Sequence, residues 1–149
     1  MYTFSNTGTS KNELLEHSLR AIDYRFTKAI HRSAPHFGEF KISDHTRSPN
    51  EIINHMCDLV NKTTSQVKEG HRNSSAPEPL DFNGEVKRFI STLHRLIGIL
   101  NETEVDAGIS KRLLQGPILD MTTHIGQLAM LNGLHGNKIS KENYFDADI

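Results

Sequence analysis

Asp120, His124 and Gln127 stand at i, i+4 and i+7 inside the stretch 116–136, GPILDMTTHIGQLAMLNGLHG. On an α-helix those intervals stack side chains one above another along a single face. A carboxylate and an imidazole one turn apart can share a divalent ion when a third ligand arrives from another helix. His55, three residues after Ile52 and four before Leu59, points inward from its own helix and can be that third ligand. An ion held this way keeps open coordination positions, where a water or a substrate thiol would lose its proton near neutral pH. The same spacing also suits a helix-surface pair or a hydrogen-bonded Asp120–His124 pair. Gln127 would then steady the imidazole or simply reach solvent.

The elements that must position these residues are helices. Ile118, Met121, Ile125, Leu128 and Leu131 recur every three or four residues, an apolar stripe of helical period. Gly136 ends that helix. Its start is ambiguous between a point near Ser110, with Pro117 as a kink, and Pro117 itself at the first helical position. Ser10 and Glu13 read as a capping box for a first helix lined by Leu15, Leu19, Ile22, Phe26 and Ile30. Ser48-Pro49-Asn50-Glu51 is a second helix start, with Ser as cap and Pro at the first position. The inner face of that helix is Ile52, Met56, Leu59 and Thr63. The segment 69–80, EGHRNSSAPEPL, is polar and broken by Gly70, Pro77 and Pro79, hence a long crossover. A third helix follows, with Val86, Ile90, Leu93, Ile97 and Leu100 inward. The expected spans are 11–32, 49–68, 83–100 and 110–135, and the tail offers Ile139, Tyr144, Phe145 and Ile149 for packing. Four helices with no convincing period-two alternation predict an all-α four-helix bundle in a single domain, 1–149.

Composition excludes several classes. The chain has 149 residues, 36% hydrophobic, and no apolar run long enough to span a membrane. Its 17 basic and 18 acidic residues are mixed along the sequence, with formal net charge -1, so neither nucleic acid nor an anionic membrane has an electrostatic footprint here. The N-terminus lacks a basic stretch followed by an apolar one, and a lone cysteine, Cys57, suits a reducing compartment. A cytoplasmic location is therefore expected. Nine histidines are more than ordinary usage supplies; His17, His31, His36 and His45 have no ligand-like neighbour and read as surface residues.

Taken together, the inward histidine of the second helix (EIINHM), the long crossover, THIGQLAMLNGLHG on the last helix and the tail ENYFDADI resemble the DinB/YfiT-like superfamily of metal-dependent four-helix proteins. The resemblance covers nearly the whole chain and is most specific in the last helix. It implies an up-down-down-up bundle, commonly a homodimer, with a divalent metal ion (zinc, nickel or iron) between helices 2 and 4. By position, His55 and His124 match two of the family's ligands. Asp120 stands where the family's His-x-x-x-His motif has its first histidine, and two histidines with one carboxylate form a facial triad. Family activities include metal-dependent thiol transfer and a mycothiol-dependent maleylpyruvate isomerisation.

The expected function is therefore metal-dependent chemistry on a small molecule, either S-transfer to or from a thiol or hydrolysis, at His55, Asp120 and His124. No general base can be assigned. The alternative is a non-catalytic binding or dimerisation protein with a vestigial site. Among other side chains, His135 reads as a cation at a helix C-terminus. Tyr24 with Arg25, and His71 with Arg72, could hold an anionic group or be solvated charges. Cys57 faces away from His55 with nothing nearby to lower its pKa. Leu14, Ile53 and Leu96 look like surplus apolar surface for a partner subunit. No phosphate-binding loop, dinucleotide turn, HExxH or nucleophile elbow occurs.

Overall fold

A computed structural model describes residues 12–149, which are helical with no strand. The helices are α1 (Glu13–Ala29), α2 (Pro49–Glu69), α3 (Phe82–Glu102), α4 (Ala107–Leu113) and α5 (Leu119–Leu134). A π-helical turn, Leu114–Ile118, joins α4 to α5, so these two form one continuous fourth rod. Pro117 explains the turn. It has no N–H to give the carbonyl four residues back, and its ring would strike that carbonyl in a regular helix; widening by one residue accommodates both. The ambiguity over where this helix begins is thus resolved as a long helix with a bulge rather than a late start.

Helix ends follow the local sequence closely. Ser48 Oγ accepts the Glu51 N–H at 3.2 Å with Pro49 at the first position of α2, while the Glu51 carboxylate reaches Lys41 Nζ at 3.1 Å. Asp81 and Asp106 cap α3 and α4 by accepting the N–H groups of Gly84 and Ile109, both at 2.8 Å. Gly70, at φ 79°, closes α2 in the left-handed conformation that glycine adopts without penalty. The Ser10 cap expected for α1 lies outside the described residues. Asn12, just before α1, instead turns its amide toward the end of α3, donating to Leu100 O at 2.8 Å and to Thr103 O.

The core is one cluster fed by every rod. α1 and α2 each pack against both α3 and the α5 rod. All four inner residues expected of α2 and all five of α5 are buried, as are Leu15, Leu19, Ile22 and Phe26 of α1. On α3 the buried line is Phe89, Leu93, Leu96 and Leu100, whereas Val86, Ile90 and Ile97 sit at its margin. Leu93 and Leu100 are buried as expected, while Phe89 and Leu96 take the places expected of Ile90 and Ile97, because α1 and α2 both pack on α3 and cover two of its sides. Leu96 and Ile53 are consequently core residues and offer no surface to a partner, while Leu14 is 84% exposed. The connection after α1 also contributes, since a short 3-10 turn, Phe37–Glu39, buries Phe37 against Phe82.

Contacts between rods record their relative directions. From α1 to α3, Asn12 meets Leu100 and Phe26 meets Phe89, one number rising as the other falls. From α2 to α3, Asn54 reaches Glu85 and Cys57 reaches Thr92, both numbers rising together. On α5, Asn132 Nδ2 donates to Ala29 O at the end of α1, at 2.9 Å. The tail packs along α1, with Tyr144 edge-on to Tyr24 and its ring under the Arg25 guanidinium at 3.9 Å. Phe145, expected to pack as well, is 93% exposed. Among the described residues no helix is long and apolar enough to cross a membrane.

Candidate metal centre

His55 and His124 meet across the α2–α5 interface. Their rings stand perpendicular, 88° apart, with centroids 4.9 Å from each other. Both are half-buried. His55 reaches this position because it sits on the edge of the Ile52–Met56–Leu59 face of α2, and His124 because it flanks Met121, Ile125 and Leu128 on α5. Gln127, one turn beyond His124, places its Oε1 2.9 Å from His124 Nδ1. With the amide oxygen as acceptor, the tautomer that fits this contact has its proton on Nδ1 and leaves Nε2 as the ring's acceptor.

Electrostatics around His55 favour the neutral ring. Burial is the first cause of its lowered pKa, followed by the positive charge of Arg47 and by His124; Asp58 opposes them and Lys62 adds to the lowering. A metal ligand must be unprotonated, so this environment suits ligation. The folded state keeps His55 neutral where an unfolded chain would protonate it. Its stabilising contribution is therefore complete above pH 6.5 and is lost as pH falls from 6.5 toward the depressed folded value. An NMR titration of the His55 Cε1 proton should give a midpoint below 6.5, and Arg47→Ala should raise it. A wild-type midpoint at or above 6.5 would contradict this account of the site.

Asp120 is placed differently. It is exposed and lines a cavity of about 290 Å³ with Gln66, Arg72 and Arg112, near the π-helical turn. Among the described residues no three His, Cys, Asp or Glu side chains are grouped so as to hold an ion together. The two imidazoles thus fit a divalent ion as donors, His55 with its pKa lowered, while the carboxylate one turn away is not gathered with them. Another cavity, of about 390 Å³, does not include His55 or His124 in its lining but takes in Ile52, one turn before His55, and Gln127, together with Arg47, His45, Ile42 and Met130. A mixed apolar and polar hollow of this volume is the size of a small-molecule site. Nothing matches this chain among models of protein families, curated proteins or solved structures.

The remaining sequence candidates fall outside this centre. Cys57 is buried against α3 with Sγ 3.7 Å from Thr92 Oγ1, and burial pushes its thiol pKa up, the opposite of what a nucleophile needs. His135 ends α5 as expected, but its ring lies between Phe37 and Phe40, at centroid distances of 5.7 and 4.9 Å, with Nδ1 buried and without a partner among the described residues. At the helix end its ring thus packs against two aromatic side chains. Arg47 was not singled out from sequence. It lies in an irregular connection, and only the packing of that connection beside α2 brings its charge to His55.

Proposed function

We propose that this protein is a DinB/YfiT-like four-helix bundle of up-down-down-up topology that uses a divalent ion to act on a small molecule. The carrying observation is the perpendicular His55–His124 pair beside a cavity rimmed by Arg47. The contacts that run in opposite senses between α1 and α3, and in the same sense between α2 and α3, support the topology. In this reading His55 and His124 hold the ion, with Asp120 as third ligand once its exposed side chain rotates toward them from the adjacent turn. The ion, zinc, nickel or iron, supplies Lewis acidity for thiol transfer or hydrolysis. Gln127 fixes the His124 tautomer, Arg47 attracts an anionic group of the substrate, and Ile42 and Met130 exclude water from its apolar part. The lone cysteine accords with work in the cytoplasm.

A homodimer belongs to the same proposal. Besides its buried stripe α5 exposes Leu119, Met130 and Leu134 among polar residues such as Asp120 and Thr123, apolar area that a second subunit would cover. These residues replace Ile53 and Leu96 as the surface for a second subunit.

Protein purified without chelator or metal-affinity tag, measured by native mass spectrometry, tests both parts. It should carry about one first-row divalent ion per chain and two chains per particle. His55→Ala should lose most of the ion, Asp120→Ala should weaken binding, and Asp120→His should retain it. If both Asp120 variants keep wild-type stoichiometry, the carboxylate is not a ligand. Wild type that is metal-free and takes up no zinc, nickel, manganese or iron would overturn the catalytic reading. It would favour the second one, a non-catalytic binding or dimerisation protein with a vestigial site. Monomer alone would overturn the dimer.

A further inference from the structure

A cavity of about 780 Å³ lies away from the paired histidines, between α1 and the chain after α5. Arg20, Tyr24 and Lys28 face it from α1 at four-residue steps, a ladder with about 6 Å between rungs. Arg32, in the turn after α1, continues the line, and Lys138 and Ile139 wall the opposite side. Asn137 Nδ2 donates to His31 O at 2.8 Å and ties the two walls together at that end.

The charged side chains lining this cleft divide into paired ones and three cations without an ion pair among the described residues. Asp23 takes His94 Nε2 at 2.7 Å. Glu142 takes Lys28 Nζ at 2.6 Å and the Tyr24 hydroxyl, contacts that lower its own pKa and raise that of Tyr24. Both carboxylates therefore have partners, whereas Arg20, Arg32 and Lys138 form no ion pair among the described residues. Glu142 also shows which chemistry the middle of the cleft accepts, an oxyanion seated between an ammonium and a phenol.

Arg32 adds an independent sign. It is the one described non-glycine residue with positive φ, 55°, in the left-handed region where a β-carbon is disfavoured and glycine is the usual occupant. The backbone would be easier with glycine, yet an arginine lines the cleft at that point, as does Lys138. Two cations that line one cleft without an ion pair among the described residues can share a dianion, whose oxygens match the planar donor fork of arginine.

We propose that the end of the cleft formed by His31, Arg32 and Lys138 binds the phosphate of a small phosphate monoester, whose organic body lies along Tyr24 and Ile139. The cavity volume falls within the range of about 300–1,000 Å³ usual for small-molecule sites. The test is a titration followed by ¹H–¹⁵N correlation spectra at neutral pH and low ionic strength, first with inorganic phosphate, then with phenyl phosphate, against sodium chloride at matched ionic strength. Saturable shifts of the Arg32, Asn137 and Lys138 amides are expected, with phenyl phosphate the tighter ligand. Arg32→Gly and Lys138→Gln should each weaken binding about tenfold, one charge-assisted contact being lost in each, and Arg32→Gly should unfold at no lower temperature than wild type. Shifts that do not saturate, or that chloride reproduces, would overturn the site. So would an Arg32→Gly protein that binds like wild type; if that variant does not fold, Lys138→Gln decides alone. Equal affinities for the two phosphates would overturn the place given to the organic body.

Discussion

Replacing Glu85 by alanine is expected to destabilise the protein by about 3–5 kcal/mol, the usual cost of removing one partner from a buried ion pair. Glu85 is 1% exposed near the start of α3. Its Oε1 accepts from the Leu80 N–H at 3.1 Å, from Asn54 Nδ2 at 3.3 Å and from Arg88 Nη2. Arg88 in turn donates through Nη1 to Glu78 O at 2.8 Å, and Asn54 to Pro77 O at 3.0 Å. One carboxylate thus gathers three donors that hold the crossover between α2 and α3 against both helices. Alanine leaves the Arg88 cation without its counter-charge and two donors without an acceptor. Glu85→Gln keeps an acceptor and should cost less, roughly 1–3 kcal/mol. Urea denaturation with an unchanged m-value reads both directly. An alanine variant within about 0.5 kcal/mol of wild type, the range of ordinary surface substitutions, would show that the crossover does not depend on this residue.

Phe89→Ala should be of similar size, about 3–5 kcal/mol, for a different reason. Phe89 and Phe26 are both fully buried, and their rings meet edge-on with centroids 4.6 Å apart where α1 crosses α3. The variant removes the transfer energy of one ring, opens a cavity that helices on two sides cannot collapse into, and ends the aromatic contact. At about 2–4 °C per kcal/mol for a chain near this size, the midpoint of thermal unfolding should fall by roughly 10 °C. Ile90→Ala, at the margin of the core, should cost clearly less. The reverse order would place the centre of the core on the Val86–Ile90–Ile97 side of α3 rather than on the Phe89–Leu93–Leu96 side.

His55 carries the other consequence of burial. Its neutral ring makes the site a pH-sensitive one, because protons compete for the same nitrogen lone pair that an ion would use. Below pH 6.5 the same protonation would weaken metal retention and fold stability together, which joins the titration to the metal measurements. The phosphate site is independent of both. It lies on α1 and the tail, and the failure of either proposal leaves the other standing.

Local chemistry was legible in the sequence because helices are encoded by short-range rules. A stripe such as Ile118–Met121–Ile125–Leu128–Leu131 can bury itself only as a helix, and Ser48 followed by Pro49 can satisfy the amides of only one kind of element start. The inward turn of His55 followed from the same periodicity, whereas its pairing with His124 was an expectation from the family resemblance, because helical period alone does not say which helices are neighbours. What periodicity could not determine was how many neighbours each helix has. Ile53 and Leu96 looked surplus beside a single inner face, and they are buried because a second helix covers the flank. The Pro117 bulge depended on a balance between breaking the helix and widening it, which the packing of Leu113 and Ile118 on either side decides. Glu85 and Arg88 were ordinary charges at an i, i+3 spacing until the crossover folded over them, and Arg47, Arg32 and Lys138 were scattered cations until loops and tail brought each to a cavity. Charges on irregular segments have no period to reveal their direction, so only the tertiary structure could say which of them meet.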